Sequence, residues 1–257
     1  INPSSFGNAD LSWETSHTFD VGLDVGLFQN RISTSIAYFR RESKDLLLNV
    51  PLSLTTGFTS QTRNIGRMEN KGIEIEFNGD IIRSEDMNLS IGGNLATTEN
   101  KVLELAKDGN GDEINITGSR TRVESGQPVY GWYMRKWAGV DPTNGDELYY
   151  LNGKDGATTN NFNAAERAFQ GGSAIPKLTG GLNFHFDYKG FFIDANGYYA
   201  GGHKVYESWH RYTNGTDYFS TLYYQGLDAI LDRWQKPGDT GKRFGRMRAG
   251  TVPWQSN

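Results

Sequence analysis

The chain has 257 residues, with 26 Lys+Arg against 30 Asp+Glu, a formal net charge of −4. That mild acidity excludes an electrostatic footprint for nucleic acid. Zero cysteines exclude disulfide scaffolds and thiolate metal sites. No apolar stretch approaches the roughly 20 residues of a membrane-spanning helix, while 32 glycines and 13% aromatics point to an ordered all-β chain.

The chain opens on Ile1-Asn2-Pro3-Ser4-Ser5, without the basic and apolar regions of a secretion signal. Period-two alternation then dominates. Phe19, Val21, Leu23, Val25 and Leu27 share one face, with Thr18, Asp20, Gly22, Asp24 and Gly26 on the other. After a turn at Gln29-Asn30, Ile32, Thr34, Ile36 and Tyr38 alternate with Ser33, Ser35, Ala37 and Phe39. Ile73, Ile75, Phe77 and Ile81 oppose Glu74, Glu76, Asn78 and Asp80. Beyond Arg83–Asp86, Met87, Leu89, Ile91 and Leu95 oppose Asn88, Ser90, Gly92 and Asn94. A weaker pair, 129–140 and 147–151, flanks the turn Asp141–Asp146. The last pair sets Leu178, Leu182, Phe184, Phe186 and Tyr188 beside Phe191, Ile193 and Ala195, with Lys189-Gly190 turning between them.

This pattern predicts about eight strands in four hairpins. Their inner turns are short, and the connections near 45–70, 100–127 and 152–176 and after 205 are long. Short turns at one edge and long loops at the other match a transmembrane antiparallel up-and-down β-barrel, with periplasmic turns and extracellular loops. The long alternating runs reach the roughly 9–11 residues that cross a bilayer when tilted. Alternation alone does not choose between lipid and a sandwich core as the partner of the apolar face. The polar faces are poor in lysine, unlike most soluble sheet surfaces. Phe28, Tyr38, Phe39, Tyr188, Phe191, Phe192, Tyr198 and Tyr199 near strand ends suit an interfacial girdle.

Chemical motifs are sparse. His17, His185, His203 and His210 form no zinc spacing, and no G-x-S-x-G occurs. His185 is expected on the wet face. Asp108-Gly109-Asn110-Gly111-Asp112 has the start of a calcium loop but lacks its later Gly and Glu, and reads as a solvated loop. Neither a metal, a cofactor nor a catalytic residue is expected. Asp24, Glu74 and Glu76 read as carboxylates on a hydrated wall, where substrate would meet them. Trp132, Tyr133, Trp137, Tyr206 and Trp209, with Tyr212, Tyr218, Tyr223 and Tyr224, are loop aromatics suited either to ligand contact or to packing on one another. Leu227, Ile230, Leu231 and Trp234 have the spacing of one face of a short helix over 222–234.

The segments Asn8–Glu14, Asn64–Glu74, Gly139–Asp146 and Arg233–Asp239, taken together and in this order, resemble the SusC/RagA-like TonB-dependent outer-membrane transporters. Asn8-Ala9-Asp10-Leu11-Ser12-Trp13-Glu14 is similar to that family's N-P-D-L-K-W-E, with Ala9 in place of proline. The segment Asn64–Glu74 is similar to N-x-G-x-M-x-N-x-G-x-E. Gly139-Val140-Asp141-Pro142 with Gly145 is similar to G-V-D-P-x-T-G, with Asn144 breaking the T-G pair, and Arg233–Asp239 is similar to R-W-x-x-P-G-D. The resemblance implies an importer of large nutrients, glycans or peptides, in the bacterial outer membrane. It implies a SusD-like surface lipoprotein and the TonB complex as partners, and outer-membrane lipid around the wall. It also implies that residues 1–257 are one part of a barrel of about 22 strands around a plug, with the plug and TonB box elsewhere. A soluble carbohydrate-binding β-sandwich and a passive porin or secretion-associated barrel are the competing readings.

Overall fold

The computed structural model describes residues 7–108, 110–209 and 227–247. In chain order the strands are β1 (Thr15–Leu27), β2 (Ile32–Lys44), β3 (Leu47–Pro51), β4 (Ser60–Asn64), β5 (Arg67–Arg83), β6 (Met87–Thr97), β7 (Glu99–Glu104), β8 (Ile116–Thr117) and β9 (Thr121–Val123). They continue as β10 (Gly131–Met134), β11 (Trp137–Val140), β12 (Glu147–Tyr150), β13 (Thr158–Thr159), β14 (Ala168–Ser173), β15 (Leu178–Tyr188) and β16 (Phe191–Gly201). The chain forms two compact units, Ile1–Thr117 with Arg122–Gly131 and Gly172–Lys204, and Gly118–Thr121 with Trp132–Gly171 and Val205–Asn257.

The first unit is built on an antiparallel sheet in the order β1-β2-β5-β6-β15-β16, with β7 pairing the upper part of β5. These long strands are the ones whose alternation is uninterrupted. The fourth expected hairpin is not among them. Its residues form short strands, because Arg135-Lys136 and the loop 141–146 break the run, and β11 pairs β12 with a bulge between Trp137 and Gly139. The wall of the first unit thus has six long strands in three hairpins instead of eight in four.

The inner turns lie at one edge. Lys189 and Gly190, with φ 47° and 89°, make a two-residue hairpin. Phe28, Gln29 and Asn30 are all left-handed, with φ 53°, 59° and 61°, and β2 begins after Arg31. Ile81 is the extra residue of a bulge, since Asp80 pairs Ser90 and Ile82 pairs Leu89. The Arg31 guanidinium donates to the carbonyls of Asp80 and Ile81, both at 3.1 Å. At the other edge β2 reaches β5 through 45–66, and β6 reaches β15 only across 98–177.

Register fixes the two faces. Leu23 pairs Ile36, Ile36 pairs Ile75 and Ile75 pairs Leu95, while Phe184 pairs Ile91 and Ala195. Nothing covers this apolar face among the described residues: Leu23 is 63% exposed and Phe191 82%. The few buried apolar side chains, such as Val50, Val102 and Leu105, lie outside the six long strands. A sandwich would bury this face, and a water-facing sheet of this apolarity would be an outlier. Lipid is its partner. Of the expected girdle, Tyr38, Tyr188, Phe191 and Tyr199 share this face, whereas Phe39, Phe192 and Tyr198 alternate onto the polar one.

The outward face changes character above Tyr38 and Ile73. There Arg40 meets Glu69 at 2.5 Å, Arg67 bridges Glu42 at 3.1 Å and Glu104 at 2.8 Å, and Lys71 approaches Glu69 and Glu99 at 3.6 and 3.5 Å. This charge lattice marks where the strands leave hydrocarbon on the long-loop side.

In the second unit β10 neighbours β14, and β11-β12-β13 form a small sheet. Tyr149, Ala165, Ala168 and Phe244 are its buried apolar residues. Residues 228–232 make one 3₁₀ turn with Leu227 and Leu231 exposed, which replaces the expected amphipathic helix within the described residues. Residues 222–226 of that expectation lie outside them.

Candidate functional site

The polar face of the long sheet places Asp24, Glu74 and Glu76 together. Asp24 pairs Ser35, which pairs Glu76, which pairs Asn94. Glu74 stands one row higher, opposite Ala37 and Ala96. Asp24, Ser33, Ser35, Glu76 and Asn78 line an open concavity of ≈ 500 Å³. The Asn78 amide donates to Glu76 at 3.3 Å. In this arrangement carboxylates, amides and hydroxyls face a wet space.

Sequence reading did not connect His185 to its partners. Its Nδ1 lies 2.6 Å from Asp194 and its Nε2 3.4 Å from Asp187, and Asp187 also accepts from Asn88 at 3.2 Å. The alternation places all of them on the polar face, but their pairing needs the register of β6, β15 and β16. Tyr198 departs from the expected girdle. It is 78% exposed on the polar face, opposite Gly181.

The loop aromatics divide. Trp132 and Tyr206 pack with ring centroids 6.2 Å apart, and the Arg120 guanidinium lies 4.2 Å over Tyr206. Tyr133 meets Phe169 edge-on at 5.2 Å beneath the Arg167 guanidinium, which donates to the carbonyls of Gly118, Ser119 and Tyr133. Trp137 is exposed, as is Trp209 at 66%. Tyr212, Tyr218, Tyr223 and Tyr224 lie outside the described residues. Arg135 stacks 4.4 Å over Phe162 and donates to Ala165 O at 2.9 Å. Burial, and then the nearby Arg167, lower its affinity for a proton. Burial also pushes the Tyr149 phenol, which donates to Glu147 at 2.8 Å, well above its usual range.

The four motifs act as structural clasps, in two pairs. In the first unit, Asn64 accepts from Ser12 N at 2.7 Å and donates to the carbonyls of Ser12 and Asp45 at 2.7 and 3.0 Å. Glu14 accepts from Leu47 N at 2.7 Å. Asn70, from the same motif as Asn64, accepts from Asn100 at 2.8 Å. In the second unit, Trp234 Nε1 and Gly238 N both donate to Pro142 O, at 3.1 and 2.8 Å. Arg246 bridges Asp146 at 3.2 Å. The Asp108 carboxylate accepts from Asn110 N and Asp112 N, so the calcium-like loop is a closed turn.

An open antiparallel sheet with an uncovered apolar face and a charged, amide-rich face is a portion of an outer-membrane β-barrel wall. Residues 1–172 match the family model of the TonB dependent receptor-like β-barrel, and the chain belongs to that family. TonB-dependent receptor P39 of Formosa agariphila is 29% identical over 93% of this chain and 27% of its own. SusC of Bacteroides thetaiotaomicron is 32% identical over half of this chain and 13% of its own. A chain of the RagAB peptide transporter superposes with a TM-score of 0.85 at 27% identity, covering 98% of this chain and 28% of that one. The chain therefore spans about a quarter of the length of such relatives, as a SusC/RagA-like outer-membrane segment.

Proposed function

We propose that this chain forms part of the wall of an active importer of large nutrients, glycans or peptides. A SusD-like lipoprotein covers the importer from outside, and the TonB complex energises it through a region beyond these residues. The reading rests on the superposition along 98% of the chain with the RagAB peptide transporter. The polar wall agrees with it, offering Asp24, Glu74 and Glu76 to a passing solute. In this reading Trp137 and Trp209 present aromatic faces to substrate or lid, and Trp132, Tyr133 and Tyr206 hold the surface that carries them. No step of bond making or breaking is assigned to the chain.

The test is growth of the source bacterium with the whole transporter gene deleted, on single glycans and on peptide digests, with and without an intact TonB complex. Loss of growth on one nutrient class, matched by loss of TonB, is the expected result. Uptake that continues without TonB would return the passive-pore reading.

A further inference from the structure

The charge lattice above Tyr38 and Ile73 is layered by sign. Arg40 stands opposite Lys71, Glu42 opposite Glu69 and Lys44 opposite Arg67, so three successive outward rows of β2 and β5 each set like charges side by side. Like charges directly across a sheet repel, and the carboxylate row offsets the two cation rows that flank it. The layers also differ in depth. The Glu69 side chain is 10% exposed and that of Glu42 19%, whereas Arg40 stands at 51%. On β2 and β5 the carboxylates therefore lie beneath and the cations form the surface. On β7, Glu99 and Glu104 border the patch with Lys101 between them. The row next to the apolar boundary is that of Arg40 and Lys71. Arg40 gives its Nε to Glu69, and its terminal nitrogens have no partner among the described residues. Lys71 reaches Glu69 and Glu99 only at 3.6 and 3.5 Å. β1 lies on one flank of this row and β7 on the other, so the strands that neighbour Arg40 and Lys71 are all present.

We propose that Arg40 and Lys71 together hold a phosphate of an outer-leaflet lipid headgroup. The apolar face below Tyr38 and Ile73 sets acyl chains against the strands, and the anionic headgroup of the same lipid then stands at the first charged row. Cross-strand neighbours carry their Cβ atoms about 4.5–5.5 Å apart, so one phosphate is within reach of both side chains. A guanidinium with open terminal nitrogens suits a forked bond to phosphate oxygens, and an ammonium adds a point charge beside it. The buried Glu69 holds both cations in place beforehand, so binding costs little further side-chain freedom. Such a site depends on the wall standing in the outer membrane, not on what the transporter imports.

The experiment is native mass spectrometry of the full-length transporter, delipidated in detergent and then given phosphorylated lipid A or the same lipid A with its phosphates removed by a phosphatase. Wild type is expected to retain the phosphorylated form several-fold more than the dephosphorylated one. Lys71→Gln keeps the bond between Arg40 and Glu69 and so keeps the fold, and its preference for the phosphorylated form falls several-fold. The double variant Arg40→Gln/Lys71→Gln loses the preference, with heat-modifiable migration confirming that the barrel is folded. Lys154→Gln removes one positive charge from an exposed loop of the second unit and leaves the preference unchanged. A wild type that retains both lipids equally overturns the proposal, because a lattice that only braces the strands has no use for lipid phosphate. A Lys71→Gln protein with the full wild-type preference overturns it as well.

Discussion

A Cβ on Gly145 would stand 2.5 Å from Cε3 of Trp234, so the indole ring lies directly on the turn that Gly145 closes. Gly145 has φ 74°, its N–H donates to Asp141 O at 2.8 Å, and its carbonyl accepts from Arg246 N at 2.8 Å. Two motifs, whose bonded residues Pro142 and Trp234 are 92 positions apart, thus meet at a position where only glycine fits. Gly145→Ala adds a left-handed non-glycine residue, which costs about 1–3 kcal/mol, and a clash with the ring. In a Trp234→Ala background the clash with the ring vanishes, leaving the backbone cost and the contact with Arg246 Cβ at 2.9 Å. The double variant is therefore expected to be less destabilised than the sum of the singles. Protease sensitivity of the second unit in the intact transporter measures it, and strict additivity would refute the contact.

The Asn64 side chain joins three backbone groups from Ser12 and Asp45. Replacing it with Leu leaves those groups unpaired, at about 1–3 kcal/mol for each that stays dry. The expected outcome is faster proteolytic cutting in 45–66, with the long strands intact. Asn64→Asp keeps the bond from Ser12 N and loses both donated ones, so it is expected to fall between wild type and Asn64→Leu. An Asn64→Leu protein cut at the wild-type rate would show that the clasp is dispensable.

How much of this could be read in advance depended on strand length. Runs such as Phe19–Leu27 carry enough alternation to fix both strand and face. The connection 98–177 holds strands of two to six residues, too short for a period to emerge, and was expected as a hairpin plus loops. Ile81 kept its apolar parity in the sequence, but the bulge after Asp80 is invisible there, because it is a property of the pairing. The motifs were legible as a signature, while their role as mutual clasps required knowing which backbone lies beside which. Tyr198 shows that an aromatic near a strand end says nothing about lipid or lumen until its parity is used.

The Thr143 hydroxyl and backbone N–H, both donating to Asp141, hold its carboxyl below the usual carboxylate range. A carboxylate depressed by folding adds stability above its unfolded value, near pH 3.9, and loses it as pH falls through the folded value. The turn 141–146 is therefore expected to loosen only in acid, below about pH 4. Asp141→Asn, which does not titrate, should flatten that dependence in a pH series of proteolysis on the second unit. An acid transition of unchanged size in the variant would assign it to another group, Asp239 being the first to test. Backbone N–H groups of Gln235 and Lys236 depress that carboxyl in the same direction.

Ile36 and Ser35 are adjacent in β2 but face different media. Ile36 pairs Leu23 and Ile75 on the lipid side, and Ser35 pairs Asp24 and Glu76 on the wet side. Lysine at the lipid face of a barrel costs roughly 2–4 kcal/mol at the midplane, whereas at the wet face it gains two carboxylate neighbours. Ile36→Lys is expected to lower the folded, membrane-inserted fraction of the transporter, measured by heat-modifiable migration, while Ser35→Lys leaves it near wild type. A soluble sandwich with its core on the apolar face would also reject Ile36→Lys. It would not, however, lose the stability of the wild-type protein when detergent or lipid is withdrawn. Performing both measurements on one preparation separates lipid from a protein core as the partner of this face. The Ser35→Lys protein then reports whether the charge of the wet wall affects uptake while the barrel stays intact.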